Sequence, residues 1–287
     1  MSIQRKITDT YEAKGHQGFM GPDHVARAVI QVGFPKSDPF IMLMDDFLDK
    51  SNDDPVGGAH PHAGFEIVSL LIDGKMEGIE AGGMQVLTTG SGMVHTETIH
   101  EKALLRLMQL WVNIPKEKRN TAPKLQDIKV DKIPTITSND LNMKVYTGSL
   151  EGLTSPVVTN VPLIIADIQL EAGTTTTLQI PANYTTFLYN IKGNILVGED
   201  QKNLNQYDVG WLDLFTQDEL SDLTLTAGEK GARVLLYAGK PLGEEIVSYG
   251  PFIADSQENI ADLYRKYRQG KLPHINTFTG ENLIKYE

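Results

Sequence analysis

Residues 59–66 read Ala-His-Pro-His-Ala-Gly-Phe-Glu, and this stretch places the imidazoles of His60 and His62 two positions apart. Residues two apart on a β-strand point to the same face, with a spacing of ~6.5 Å, so both rings can reach one metal ion. Pro61 faces the other way and cannot donate to a sheet ladder, which indicates an edge or a bulge. The alternative is a pair of surface histidines, because two glycines precede the stretch.

A second stretch, residues 90–97, reads Gly-Ser-Gly-Met-Val-His-Thr-Glu. Its glycines favour a tight turn, after which His95 and Glu97 share one face of a strand. Three neutral imidazoles and one carboxylate can hold a divalent ion and leave coordination positions open. This ligand set suits iron, manganese, nickel or copper, and zinc is also compatible. By themselves, His95 and Glu97 are equally compatible with a partnered surface pair.

Glu66 leaves the identity of the carboxylate ligand open. It lies four residues after His62, on the same side of the predicted strand, so it is an alternative to Glu97. Glu66 is also suited to a supporting role, in which a carboxylate orients a metal-binding imidazole from behind.

Short apolar segments bounded by Gly, Pro, Asn and Asp surround these stretches, as is typical of all-β proteins. In the first half of the chain they are residues 26–32, 39–47, 65–72, 84–88 and 106–114. In the second half they are residues 144–150, 163–170, 174–180, 186–196, 208–215, 222–225 and 233–237. Within segment 186–196, Gly193-Asn194 predicts a tight hairpin turn.

Two tandem β domains are expected from this pattern. Residues 115–142 are rich in Lys, Asp, Pro and Thr and predict a connector, which places the domains at 1–135 and 136–287. A single helix is predicted near the end of the chain, where Asp255 and Glu258 have the spacing of a capping box and Gly270 has the position of a C-terminal cap. The fold class is therefore all-β, built from barrels or sandwiches.

Composition narrows the classes of function. The formal net charge is −11, which disfavours binding to phosphate backbones, so no direct nucleic-acid partner is expected. Cysteine is absent, which excludes disulfides, thiolate ligands and a cysteine nucleophile. We find neither a long apolar segment nor a signal-like N-terminus, so a cytoplasmic protein without a membrane partner is expected. Each domain should bury its own core, and a monomer is the simplest expectation.

The motifs resemble those of the pirin family within the cupin superfamily. Residues 59–66 are similar to the first metal motif of the family and residues 88–97 to its second. Further similar segments follow the family's order, at residues 39–47, 108–115, 238–244 and 249–252. The resemblance extends from about residue 20 to residue 272.

This resemblance implies a bicupin, with two antiparallel, jelly-roll-like β-barrels in tandem and a short C-terminal helix. It implies one metal ion, typically Fe(II), on His60, His62, His95 and Glu97, with Glu66 behind the ligands. Many pirins have no metal in the C-terminal barrel. The sequence agrees, because no histidine occurs between His100 and His274.

The resemblance also implies an activity. Several pirin-like proteins resemble quercetin 2,3-dioxygenases, which open a flavonol ring with O2 and release carbon monoxide and a depside. Glu97 would then be the catalytic base that accepts the flavonol hydroxyl proton. The expected partners are a small aromatic substrate and O2. Other family members resemble metal-dependent regulators, so the alternative is a non-enzymatic, metal-binding protein that recognises a protein partner.

Three departures from the family pattern concern the surroundings of the metal. The family often has arginine where this chain has Ala63 and Ser91. It also usually has about ten more residues near 75–83. The loss of two cations and a shortened hairpin alter the electrostatics and the mouth of the pocket. These departures concern the substrate pocket, whereas the four expected ligands are present.

Overall fold

The computed structural model describes residues 2–76 and 78–287, which form two compact units. Glu77, inside the stretch 75–83 expected to be shortened, lies outside the described residues, as does Met1. The N-terminal unit comprises Gly15–Lys132 and Leu242–Glu287, and the C-terminal unit comprises Ile133–Pro241 and Met1–Lys14. The predicted domains, 1–135 and 136–287, are contiguous, whereas in the structure each terminal segment belongs with the other unit.

Strands dominate both units, and the predicted all-β class is confirmed. Up to residue 128 the strands are β1 (Ile3–Gln4), β2 (Ile7–Glu12), β3 (Gly15–Gln17), β4 (His24–Ala28), β5 (Phe40–Lys50), β6 (Val56–His62), β7 (Phe65–Asp73), β8 (Lys75–Met76), β9 (Ile79–Glu80), β10 (Met84–Thr88), β11 (Met93–Ile99), β12 (Ala103–Asn113) and β13 (Lys124–Ile128). They continue with β14 (Thr135–Thr137), β15 (Leu141–Thr147), β16 (Ser149–Leu150), β17 (Leu153–Thr154), β18 (Leu163–Leu170), β19 (Thr175–Pro181), β20 (Thr185–Val197), β21 (Lys202–Leu204), β22 (Asp208–Leu212), β23 (Leu220–Gly239), β24 (Val247–Tyr249), β25 (Phe252–Ala254) and β26 (Leu283–Tyr286). The α-helices are α1 (Phe34–Ser37) and α2 (Gln257–Arg268).

The N-terminal unit is built on an eight-stranded sheet with the order β26-β13-β10-β7-β12-β5-β4-β3. The ribbon of β6 and β11 forms a separate two-stranded sheet. The last strand, β26, pairs in parallel with β13, which explains why the end of the chain belongs to this unit. Phe65, Ile67 and Met93 belong to one apolar cluster of the unit, against which Trp111 packs.

The C-terminal unit is built on a ten-stranded sheet with the path β14-β15-β18-β23-β20-β22-β2. The first strands of the chain belong to it, because β1 pairs with β23 and β2 pairs with β22. Its core is a continuous set of buried Leu, Ile, Val and Ala side chains, among them Leu188, Val234 and Leu236. Neither large sheet closes into a complete hydrogen-bonded ring among the described residues.

Two local predictions are wrong. The Gly193-Asn194 turn is absent, because β20 continues through both residues with a register shift against β23. Gly193 still has a left-handed φ of 70°, and a Cβ there would lie 2.0 Å from the carbonyl oxygen of Gly231. The stretch predicted as a connector also contains β13 and β14, so it is not merely a linker.

The predicted helix is present as α2, but its cap differs from the prediction. The Ser256 hydroxyl accepts the Asn259 N–H, so Ser256 caps the helix instead of Asp255. Asp255 accepts a hydrogen bond from the guanidinium of Arg119. Gly270 follows the helix with φ 65°, the left-handed conformation expected of a terminating glycine.

Candidate metal centre

The two histidine motifs pair with each other as the antiparallel ribbon of β6 and β11. His60 lies directly opposite His95 in this ribbon. His62 follows two residues later on the face that His60 occupies. Glu97 lies opposite Gly58. Because side chains alternate between the two faces of a strand, all four predicted ligands lie on the same face of the β6–β11 ribbon.

Gly57 allows the ribbon to form. Its φ is 86°, in the left-handed region that glycine adopts readily, and a Cβ there would lie 1.9 Å from the carbonyl oxygen of Glu97. No other residue fits at this close approach of the two backbones. The glycine pair before His60, which by itself was compatible with a loose loop, is thus part of the pairing that positions the histidines.

Three imidazoles form a compact cluster. The ligand atoms of His60, His62 and His95 all lie within 4.8 Å of one another, so the cluster could hold a metal ion. Nε2 of His60 is 2.8 Å from Nε2 of His95. Two nitrogens ~2.1 Å from one ion at right angles are ~3 Å apart, close to this distance. Nδ1 of His60 donates to the carbonyl oxygen of Gly58 at 2.9 Å, which leaves its Nε2 free to act as a ligand.

His62 is the most deeply buried member of the cluster, with only 3% of its surface exposed. Phe65 and Trp111 enclose its ring, at centroid distances of 5.5 and 5.2 Å. Neither ring nitrogen makes a hydrogen bond of good geometry within the described residues, although the backbone of Pro251 is near enough to oppose the lowering of its pKa. Buried polar atoms are rarely left without a partner. A metal ion bound to this imidazole would supply the missing partner.

His62 and His95 are in the protonation state that metal ligands need. Burial, reinforced by the neighbouring His60, lowers the pKa of His62 to about 3 and that of His95 to about 2. Both rings are therefore uncharged at neutral pH. Neutral imidazole has the lone pair that a metal ion requires.

Glu97 completes the edge of the cluster. Its Oε2 lies 3.7 Å from Nε2 of His60, and its Oε1 lies 4.0 Å from Nδ1 of His95. Gln109 donates to Oε1 at 3.0 Å and so fixes the carboxylate. Burial raises the pKa of Glu97, while His60 and the Gln109 hydrogen bond oppose this. The carboxylate therefore lies beside the compact cluster of three imidazoles but is not part of it.

Glu66, the alternative ligand, has a different environment. It is completely buried on β7 and accepts the Thr88 hydroxyl at 2.7 Å. It does not belong to the compact imidazole cluster. Glu66 is therefore a weaker candidate for the carboxylate ligand than Glu97, which lies beside the cluster.

Two residues near the cluster were not found by sequence reasoning. Gln109 was only a strand position in the sequence, and no local signal connected it with Glu97. No sequence signal connected His274 with the ribbon, yet its Nε2 is 3.0 Å from Oγ1 of Thr96, the residue between His95 and Glu97 in the chain. The sequence separation of 178 residues hid this approach.

Ala63, where the family often has arginine, is fully buried in an apolar cluster with Phe252, Ile260 and Leu272. A Cβ on Gly92 would lie 2.8 Å from a methyl group of Leu272, so there is little free space here. The apolar cluster explains why a small residue suits position 63. Ser91 is only partly buried, and nothing in the structure explains its replacement of arginine.

We expect Gly57→Ala to disrupt the ribbon. The substitution adds both left-handed strain and a clash with the Glu97 carbonyl, so a loss of about 3 kcal/mol in the free energy of unfolding is expected, together with weaker metal binding. Gly152→Ala is the matched control, because Gly152 has φ 79° with no atom within 4 Å of a built Cβ. Urea unfolding of both variants tests the difference, and equal losses would contradict the clash.

The C-terminal unit offers no comparable cluster. Its two segments contain no histidine or cysteine.

No helix among the described residues combines the length and the apolar character needed to cross a bilayer.

Comparison with known proteins agrees with the fold and the motifs. Residues 23–112 match the family described as Pirin, and residues 165–273 match the Pirin C-terminal cupin domain. Two cupin domains in one chain define a bicupin. Pirin-1 of Arabidopsis thaliana is 31% identical over 85% of this chain and 88% of its own length. The chain therefore belongs to the pirin family.

Two further relatives carry an enzyme name. A Pseudomonas aeruginosa protein named "Putative quercetin 2,3-dioxygenase PA3240" is 32% identical over 82% of this chain and 87% of its own length. The crystal structure of quercetin 2,3-dioxygenase from Acinetobacter baumannii has a TM-score of 0.80 and 26% identity, covering 94% of this chain and 98% of that protein. The relatives of this chain thus include proteins named as quercetin 2,3-dioxygenases, one of them as putative.

Proposed function

We propose that His60, His62, His95 and Glu97 bind one divalent transition metal ion. The observation that carries this proposal is the state of His62, a buried and uncharged imidazole that meets two other imidazoles and lacks a good hydrogen-bond partner of its own. Glu97 supplies the negative charge that a divalent ion favours. Fe(II) is our first choice, with manganese, nickel, copper or zinc as alternatives, because this donor set selects poorly among them.

The activity that we propose is a quercetin 2,3-dioxygenase-type cleavage of a flavonol or a similar enolisable aromatic. Both oxygen atoms of O2 enter the depside product, and the carbon between the two broken bonds leaves as carbon monoxide. The bound metal would supply Lewis acidity and a site for bringing the substrate anion and O2 together. The names of the Pseudomonas and Acinetobacter relatives support this reaction class.

The exposure of the ligands indicates where a substrate enters. The side chains of His60 and Glu97 are 38% and 27% exposed, whereas His62 and His95 are buried. Substrate therefore approaches from the side of His60 and Glu97. Trp111 and Phe65 lie behind His62, with ring centroids 4.3 Å apart, and exclude water from that side.

Glu97 has the position and environment of a general base. Gln109 holds Oε1, so Oε2 is the oxygen that can take the proton of the flavonol hydroxyl. Burial raises the pKa of Glu97 in the protein without its metal ion, and a carboxylate at this position can accept a proton as a general base. Proton removal at this atom prepares the anionic form of the substrate for reaction with O2.

We expect Glu97→Gln to lower quercetin turnover by about 100-fold or more, because glutamine cannot accept the proton. The experiment loads the protein anaerobically with each metal, measures the stoichiometry, and then follows O2 uptake and quercetin bleaching in air. His100→Ala is the control for handling, since His100 is exposed and outside the cluster. Turnover by Glu97→Gln at the original rate would remove the catalytic role of this residue.

The same experiment decides between the enzyme and the non-enzymatic alternative. One metal ion per chain with no turnover of any flavonol would support a metal-binding regulatory protein that recognises a protein partner. No stoichiometric metal binding would contradict both readings of the centre.

A further inference from the structure

Asp46 shares a sheet face with the residues that support the candidate metal centre. In the pairing of β5 with β12, Asp46 lies opposite Leu107 and Met44 lies opposite Gln109. Directly opposed residues, and residues two apart on a strand, have their side chains on the same face. Asp46 is therefore on the face of Gln109, which holds the Glu97 carboxylate.

Trp111, two residues after Gln109 on β12, lies on the same face of the sheet. Its ring centroid is 5.2 Å from the ring centroid of His62. The face that carries Asp46 is thus the one turned toward the imidazole cluster. In agreement with this, the negative charge of Asp46 helps to raise the pKa of Glu97.

A completely buried histidine fixes the orientation of Asp46. Nε2 of His24 lies 2.8 Å from Oδ1 of Asp46. Nδ1 of His24 accepts the backbone N–H of Met20 at 3.2 Å, which leaves Nε2 as the nitrogen that donates to the carboxylate. Because His24 is immobilised on both sides, Asp46 is held in one orientation.

The second oxygen of Asp46 remains available. Oδ1 receives the His24 hydrogen bond, and the structure gives Oδ2 no protein partner among the described residues. The Asp46 side chain is 14% exposed, so it is neither freely solvated nor completely enclosed. Burial raises the pKa of Asp46 and the His24 hydrogen bond lowers it, and in either protonation state the group retains an accepting oxygen.

We propose that Asp46 is a specificity-determining residue, oriented by His24, that accepts a hydrogen bond from a substrate hydroxyl distant from the one bound at the metal. The proposal rests on the proposed function, since it assigns the substrate class of the same site. That class is the polyhydroxylated aromatics, in which a phenolic hydroxyl on another part of the molecule reaches Oδ2. A substrate without this hydroxyl leaves a partly buried carboxylate unpaired and is disfavoured.

The test compares the binding of two flavonols to the metal-loaded protein under nitrogen, so that no turnover is needed. Quercetin carries additional phenolic hydroxyls, and 3-hydroxyflavone carries only the enolic one. We expect the wild-type protein to bind quercetin about 10- to 100-fold more tightly than 3-hydroxyflavone, because a hydrogen bond to a charged group can contribute this much. Asp46→Asn should lose most of this preference, with the affinity for 3-hydroxyflavone changed by less than about twofold.

Further variants separate recognition from folding. Asp49→Asn, on the same strand with an exposed side chain, should keep the preference. His24→Phe should weaken it, because Asp46 loses its fixed orientation. Metal stoichiometry, measured for each variant, shows whether the centre is intact, and Asp46→Ala repeats the test without the asparagine amide.

The outcomes distinguish this proposal from the proposed function. An unchanged preference in both Asp46 variants, or an equal loss of affinity for both flavonols, overturns the role of Asp46. A preference that depends on Asp46 without O2 consumption in air supports the role and overturns the dioxygenase assignment. Failure of the original protein to bind either flavonol overturns both.

Discussion

His62→Ala should bind its metal ion about 100-fold more weakly or worse, since even residues that only support a ligand change affinity by 10- to 100-fold. The imidazole is 3% exposed, and the described residues offer it no good hydrogen-bond partner. Its removal should therefore delete a metal ligand without breaking a hydrogen bond of good geometry. Metal titration followed by elemental analysis of the gel-filtered protein measures the change.

Thermal unfolding with and without metal distinguishes ligand loss from misfolding. Binding to the folded state alone stabilises it, so the original protein should unfold at a higher temperature when metal is added. His62→Ala should lack most of this increase, whereas His100→Ala should retain it. A metal-dependent increase that survives in His62→Ala would show that the ion binds elsewhere.

Arg119→Ala should lower the free energy of unfolding by about 3 kcal/mol, as expected when one member of a buried charged network is removed. The Arg119 side chain is 3% exposed. Its guanidinium donates to Asp255, to Oδ1 of Asn113 at 3.0 Å and to Oε2 of Glu244 at 3.4 Å. Without Arg119 the two carboxylates lose their cation, although their partial exposure limits the penalty. Urea unfolding measures the loss.

Arg265→Ala is the matched control for this prediction. Arg265 also pairs with an aspartate, Asp262, but their side chains are 65% and 46% exposed. Exposed ion pairs contribute about 0–1 kcal/mol, so a small change is expected. Similar losses in the two variants would mean that burial of the Arg119 network has no special energetic effect.

The local part of this fold could be predicted from the sequence because it depends on short-range periodicity. Segments 84–88 and 163–170 coincide with β10 and β18, since apolar residues bounded by turn formers define both ends. The shared face of His60 and His62 follows from the two-residue period of a strand. The strand pattern of the two halves predicted two β domains, and the family resemblance identified them as cupins.

The wrong hairpin has a different cause. A tight turn and a bulge both require a left-handed backbone, and Gly193 satisfies either one. A glycine in the sequence indicates that the backbone can be left-handed at that position. It does not indicate whether the chain then reverses direction. In the structure β20 does not reverse at Gly193, and its pairing with β23 shifts register there instead.

Contacts between distant segments were beyond reach of the sequence. His24 meets Asp46 across 22 residues, Arg119 meets Asp255 across 136, and Thr96 meets His274 across 178. Each pair consists of common polar residues, and no periodicity links its members. The candidate ligands were foreseeable because the motifs are local, whereas the groups that orient Glu97 and Asp46 depend on the register of the sheet.

The interleaved arrangement of the two units has a consequence for protein synthesis. The N-terminal unit needs β26 beside β13, and these strands are separated in the chain by the whole of Ile133–Pro241. A nascent chain that has just emerged through residue 132 therefore lacks an edge strand, helix α2 and the carboxylates that pair with Arg119. Chains of this kind gain their long-range contacts late and slowly. The unit with the histidine ribbon therefore cannot be completed until residues 242–287 have been synthesised.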